Sequence, residues 1–336
     1  MCSHQVPKMY PLRSKSVPQV TIMVKPGVLM QRLIIPYLRD SLESKFVLYP
    51  LWEQSDKEAY VMENAESIRA VVTTGPERVD AELIRKLPKL EIVASFSVGL
   101  DKVDLQKCKE CGIAVTNTPD VLTDDTADLA IALLLASMRH VCAADRFVRK
   151  GCWPKLREYP LTYKMSGKCL GIVGLGRIGS AVAKRAEAFG CKISYFGTKE
   201  KIGVPYKYYG TLLELAKNSD VLVLTCPLTK ETTHIVGRMI LDALGPNGFL
   251  VNIARGAVVD EQELIKALIE GRLGGAGLDV YEKEPQVPKE LWDMDNVVLS
   301  PHMGCGTWDT TRDMADLVVS NLEAHFEGKP LLTSYK

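Results

Sequence analysis

The sequence predicts an α/β chain built as two parallel-sheet domains, the second inserted into the first. Short β-branched runs alternate with polar, helix-period stretches in two separate series, a pattern that yields parallel sheets covered on both faces. A long helical run, opened by acids, stands between the two series. A last helical stretch, residues 310–326, has no strands of its own and must return to the first series. Two crossings between domains would then frame a cleft. At 336 residues the chain is long enough to bury two cores.

Residues 1–17 hold Lys8, Arg13 and Lys15, no acid, and Pro7 and Pro11. They lack the apolar centre of a secretory signal, are short and poorly amphipathic for an organelle transit peptide, and read as a loose tail. Strands are expected at 20–24, 46–49, 70–73, 92–94 and 113–115, with a helix at 80–86 opening on Asp80. A short helix at 105–111 carries Cys108 and Cys111, with no second pair to complete a metal site. Both read as packing residues, and no metal is expected. The nine cysteines are otherwise scattered, and an odd count of unpaired thiols suits the reducing cytoplasm.

After Thr116-Asn117-Thr118-Pro119, Asp124 and Asp125 open a helical run reaching about Lys150. Arg146, Arg149 and Lys150 close it, a charge order that suits the helix dipole. Its middle, residues 129–136, is apolar on every face, so a second surface must cover it. That surface is either the other domain or a second subunit. The apolar stretch 129–138 is about half a bilayer span. A formal net charge of +1 provides no field for nucleic acid or an anionic membrane. The second series places strands at 169–173, 192–196, 221–225, 249–253, 275–279 and 297–299.

The first of those strands runs into Gly174-Leu175-Gly176-Arg177-Ile178-Gly179 and then a helix, expected at 180–189. Gly174 permits the tight turn, Gly176 lets a pyrophosphate approach the backbone, and Gly179 allows close helix–strand packing. The helix N-terminus adds N–H donors and positive dipole, making a dinucleotide loop of the Rossmann kind. The next strand decides the nucleotide. An NAD site places Asp or Glu at its end to hold the ribose 2′-OH. Here Gly197-Thr198-Lys199-Glu200-Lys201 follows Phe196, offering a hydroxyl and two ammonium groups instead. This favours NADPH without excluding NADH; Lys199 and Lys201 either reach a 2′-phosphate or are solvated loop charges.

Three strand-end residues form a constellation suited to a 2-oxo acid. Arg255, in Asn252-Ile253-Ala254-Arg255-Gly256, offers a guanidinium that grips a carboxylate and polarises the neighbouring carbonyl. His302, in Ser300-Pro301-His302, can donate a proton, and Glu284, before Pro285, is the carboxylate that favours a charged imidazole. The other histidines, His4, His140, His234 and His325, lie in tail or helix contexts.

Together with Val259-Asp260-Glu261 and Gly277-Leu278-Asp279-Val280, these motifs resemble the D-2-hydroxyacid dehydrogenases in order and spacing, over roughly residues 20–330. The segments 96–101, 116–125 and 321–326 bring the chain nearest to the plant hydroxyphenylpyruvate and hydroxypyruvate/glyoxylate reductases. The resemblance implies an NAD(P)-binding Rossmann domain, 119–302, inserted into a flavodoxin-like substrate domain, 18–118 and 303–336. It implies a homodimer through the helix 124–150. By position, Arg255 corresponds to the substrate arginine, His302 to the acid/base, Glu284 to its partner, and Val98 and Gly99 to backbone donors for the substrate carboxylate. Leu175, Arg177, Ile178, Pro227 and Ile253 fall on cofactor-lining positions, and Asp279 on the acid that meets the nicotinamide carboxamide.

NADPH-using plant members of the family typically carry Ser-Arg where this chain has Gly197-Thr198. Trp308 either faces the cleft or packs its helix. Two other readings remain: an NAD-linked hydroxyacid dehydrogenase of the same family, and a nucleotide-sensing, corepressor-like binding protein on the same fold. Formate dehydrogenases have glutamine where this chain has Glu284.

Overall fold

The computed structural model describes residues 25–335, so the tail and the expected strand 20–24 lie outside the described residues. The first described strand is β1 (Gly27–Met30), followed by α1 (Pro36–Lys45), β2 (Val47–Pro50), α2 (Lys57–Glu63) and β3 (Ile68–Thr74). Then come α3 (Ala81–Lys86), β4 (Ile92–Phe96), α4 (Leu105–Glu110) and β5 (Ala114–Thr116). Asp80 caps α3, accepting from Glu82 and Leu83 N–H, as its position suggested. The five strands form one parallel sheet in the order β2-β1-β3-β4-β5, the flavodoxin-like arrangement.

Next the chain forms α5 (Thr123–Met138), α6 (Val141–Arg149) and α7 (Trp153–Leu156). The single helix expected to reach Lys150 is thus broken, with α5 and α6 bent by 59°. His140 takes a left-handed backbone (φ 48°), and Tyr163 N–H bonds the Met138 carbonyl at 3.0 Å. That carbonyl would otherwise serve the next helical turn. α5 packs on the second sheet and its helices, while Leu129, Leu135 and Ala136 are half-buried and Ala132 is exposed. The described chain therefore leaves one apolar face of α5 partly open.

The second sheet comprises β6 (Cys169–Val173), α8 (Arg177–Glu187), β7 (Lys192–Phe196), β8 (Lys207–Tyr208), α9 (Leu212–Lys217) and β9 (Val221–Leu224). It continues through α10 (Arg238–Leu244), β10 (Phe249–Asn252), α11 (Glu261–Ile269), β11 (Gly275–Leu278) and β12 (Val297–Leu299). All neighbours are parallel, in the order β12-β11-β10-β9-β6-β7-β8, the Rossmann order extended by one strand. The two-residue edge strand β8 carries no sequence signal. α8 starts three residues earlier than expected, directly on Gly176. Thr225, Ile253 and Asp279, expected as strand residues, are the first residues past their strands.

The final helix, α12 (Trp308–Phe326), returns to the first sheet and lies against β4 and α1. Met314, Ala315, Val318 and Leu322 join Val28, Met30, Val72 and Ile92 in one core. Trp308 opens this helix 83% exposed, so helix packing does not hold it. Cys108 is buried and unpaired, and burial pushes its thiol up to about 11, as befits a packing residue, whereas Cys111, expected to pack as well, is exposed. No single described helix is long and apolar enough to cross a membrane.

Leu322 is fully buried between α12 and the first sheet. Leu322→Ala should cost about 2–5 kcal/mol, read as a lower urea midpoint. An unchanged midpoint would mean that α12 is not part of that core.

Candidate active site

Register brings the expected residues to one edge. Asn252 of β10 pairs with Leu278 of β11, which pairs with Leu299 of β12. The chain leaves these strands side by side, and Arg255, Asp279 and His302 follow within a few residues. This is the carboxyl edge, where open α/β sheets place ligands. Asn252, buried, shapes the first of these turns: its side chain accepts from Ala254 N–H at 3.0 Å and donates to the Arg255 carbonyl at 2.9 Å.

Arg255 projects across to the first sheet. Its Nε donates to Asp101 Oδ2 at 2.7 Å and its Nη1 to the Ala254 carbonyl at 2.7 Å. Its Nη2 rests where a side chain at Gly99 would lie: a Cβ there would sit 1.7 Å from Nη2. The Val98 and Gly99 carbonyls are tied back by Asn117 (2.8 Å) and Ser97 (2.6 Å). No acceptor takes the N–H of Val98 or Gly99 among the described residues. The result is a guanidinium packed on Gly99, in a stretch with two free amide donors, groups whose chemistry suits an anion.

His302 sits opposite, Nδ1 at 2.7 Å from Glu284 Oε2. Burial pushes the Glu284 carboxyl up, but the His302 hydrogen bond and charge, the Tyr281 N–H at 3.0 Å and the Arg255 charge outweigh it. The net effect holds Glu284 below the usual carboxylate range. His302 adopts a left-handed backbone (φ 57°), uncommon for a side-chain-bearing residue. Asp279 holds it there. The Asp279 carbonyl accepts from His302 N–H at 2.8 Å, and its carboxylate accepts from Met303 N–H (2.7 Å) and Gly304 N–H (2.9 Å). Asp279 is 1% exposed, so its visible work is on this loop. Tyr281, the nearby phenol, is no rival acid: burial pushes it up to about 12, and its hydroxyl donates to the Ser300 carbonyl at 3.1 Å.

The glycine loop lies where the strand order reverses, between β6 and β9. Gly174 (φ 94°) turns so close to β9's exit that a Cβ would lie 2.8 Å from the Cys226 Cα. A Cβ on Gly176 would point into open space, and no side chain caps α8 there. That open helix end fits a pyrophosphate. Leu175 is buried beneath the loop, and Ile178 is half-buried. Lys201 Nζ contacts the Leu175 carbonyl, and its backbone N–H bonds the buried Tyr195 hydroxyl at 2.7 Å. Thr198 and Lys199 are exposed at the end of β7, with Gly197 half-buried, and no acid stands there. Pro227 is exposed just past β9, and Ile253 is buried past β10. Arg177 instead pairs with Asp120, on the segment leading into α5.

Residues 131–304 match the family described as D-isomer specific 2-hydroxyacid dehydrogenase, NAD binding domain. The chain belongs to the D-2-hydroxyacid dehydrogenase family. Hydroxyphenylpyruvate reductase of Plectranthus scutellarioides is 61% identical over 307 residues, covering 91% of this chain and 98% of its own. Glyoxylate/hydroxypyruvate reductase A of Arabidopsis thaliana is 60% identical over the same length and shares of chain. Among solved structures, the NADPH-dependent glyoxylate/hydroxypyruvate reductase of Sinorhizobium meliloti, in complex with NADP and malonate, superposes with a TM-score of 0.88. It is 39% identical, covering 93% of this chain and 97% of that one.

As a 2-hydroxyacid dehydrogenase the protein is an NAD(P)-dependent oxidoreductase. Its structure adds residues that the sequence left without a role: Asp101, Asn252 and Tyr195, each bonded to a residue of the expected site. Asn252 and Asp101 lie inside recognisable segments, yet nothing in their spacing pairs Asp101 with an arginine 154 residues later.

Because the Glu284 carboxyl is lowered, its contribution to stability is present above the ordinary carboxylate range and is lost as pH falls through its folded value. The acid limb of a stability–pH profile should therefore extend below that range, and Glu284→Gln should remove this component. Identical acid limbs in the two proteins would contradict the pairing.

Proposed function

We propose that this dehydrogenase reduces a 2-oxo acid to the D-2-hydroxy acid with NADPH as the preferred donor. The observation that carries the reading is Arg255 packed on Gly99, whose amide and that of Val98 are free, on the same edge as the His302–Glu284 pair. A nicotinamide cofactor would supply the hydride. On this reading Arg255 and the Val98–Gly99 amides hold the substrate carboxylate, and the guanidinium polarises the keto group. His302, paired with Glu284, donates a proton from its free Nε2 to the developing alkoxide. Asp279 keeps the histidine loop in place and borders the nicotinamide site.

The cofactor would lie across Gly174–Gly179, with Leu175, Ile178, Pro227 and Ile253 about it. Thr198, Lys199 and Lys201 face the ribose, and the absence of an acid at the end of β7 supports NADPH over NADH. Lys201 is the best placed of the three, since Tyr195 anchors its backbone. The parts divide as 119–302 for the cofactor and 18–118 with 303–336 for the substrate. The relatives named above act, by name, on hydroxyphenylpyruvate, glyoxylate and hydroxypyruvate; this chain's substrate belongs to the same class. The free thiols among the described residues support a reducing, cytoplasmic setting.

A panel of glyoxylate, hydroxypyruvate and 4-hydroxyphenylpyruvate under NADPH and NADH, ranked by kcat/KM, tests this. NADPH should give the higher values, and His302→Ala should lower kcat roughly 100-fold or more with nucleotide binding retained. Nucleotide binding without reduction of any 2-oxo acid would instead favour a sensing protein.

The partly open face of α5, together with exposed Val141, Val148, Trp153 and Leu156, supports a homodimer through the 124–150 region. Sedimentation should give twice the chain mass, and Leu135→Asp should yield monomer. A monomeric native protein would end that assignment.

A further inference from the structure

We infer that Asp101 is a positioning residue that presents Arg255 to the substrate carboxylate. The inference rests on the proposed role of Arg255. A long arginine side chain samples many rotamers unless something holds its head, and here three neighbours do. Asp101 takes Nε at 2.7 Å, the Ala254 carbonyl takes Nη1 at 2.7 Å, and Gly99 leaves room for Nη2 against the backbone. A Cβ on Gly99 would lie 1.7 Å from Nη2 and 2.9 Å from Asp101 Oδ2, so carboxylate, guanidinium and glycine form one packed unit. Nη2 is left beside the free Val98 and Gly99 amides, where a carboxylate can take both kinds of donor.

The pair also spans the cleft. Asp101 follows β4 of the first sheet, whereas Arg255 follows β10 of the second. Bringing the two parts together and aiming the arginine are thus a single event. Asp101 does not act as a rival for the substrate on this view: it occupies Nε and leaves Nη2 free.

The two roles predict opposite signs for the isosteric Asp101→Asn variant. Binding of oxamate, an unreactive 2-oxo acid analogue, is measured by calorimetry on the full chain saturated with NADPH. KM and kcat for glyoxylate are measured alongside, and NADPH affinity by nicotinamide fluorescence reports an intact fold. Asp101→Asn should weaken oxamate binding about threefold to fivefold and raise KM more than it lowers kcat, as loss of the charge from a partly exposed ion pair implies. NADPH affinity should stay within about twofold, and Asp101→Glu should recover part of the loss. Unchanged or tighter oxamate binding in Asp101→Asn, with binding lost in Arg255→Ala, overturns the inference and leaves the arginine's role standing. Oxamate binding that survives Arg255→Ala overturns both.

Discussion

The buried carboxylate of Asp279 is the constraint on which the carboxyl edge of the second sheet depends. A carboxylate that is 1% exposed is costly unless its oxygens are satisfied, and both are, by the amides of Met303 and Gly304. The same residue's carbonyl takes the His302 amide. Three bonds from one residue fix a loop whose left-handed turn would otherwise be unfavourable. The loop is also where the chain leaves the second sheet to return to the first. A Cβ on Gly304 would meet both Asp279 and Thr126 of α5 at 3.3 Å, so the outgoing and returning crossings touch at this point. The crossing between the sheets and the His302 turn are thus fixed by one residue.

The large sheet was the most legible part of the sequence, for a physical reason. Its strands read as short, mostly apolar runs bounded by turn residues, and 169–173, 192–196 and 297–299 match β6, β7 and β12 residue for residue. The site followed from those strands, because ligand-facing residues must lie just past their carboxyl ends. What escaped reading depends on partners remote in sequence. The break after Met138 has neither glycine nor proline to mark it; Tyr163, on a returning segment, takes the carbonyl. β8 exists because Tyr208 packs on Tyr195, ring centres 5.4 Å apart, not through any run of its own. The start of α8 is obscured because glycines carry little helix propensity, yet Gly176 stands at its N-cap and Gly179 packs inside the helix.

Cofactor choice shows the same division. The missing acid at the end of β7 is a local fact and was readable. The placement of Lys201 is not local: its chain is anchored by a phenol at the end of a buried strand and crosses to the glycine loop. Lys199, two residues earlier, is exposed and lacks that anchor. Two lysines that look equivalent in sequence are therefore unequal in the fold. A held ammonium loses less freedom on meeting a phosphate, so on the proposed reading the anchored lysine is the stronger candidate for a 2′-phosphate contact.

Magnitudes decide what the contacts between the two sheets can do. Arg255–Asp101 joins the two parts with side chains 30%/30% exposed, and Arg177–Asp120, 67%/64% exposed, ties α8 to the crossing segment before α5. Ion pairs this open to water contribute about 0–1 kcal/mol each. Such pairs shift an open–closed balance by a factor of about five at most apiece, too little to lock the cleft. Closure must then draw on the ligand itself. On the proposed reading, a substrate carboxylate would add charge-assisted bonds to the arginine as the parts meet, and burying it would remove water from around the Arg255 charge, strengthening the contacts in the cleft. On that reading a weak latch is the useful kind: it would orient the arginine without holding the cleft shut, leaving closure to substrate and opening to product release.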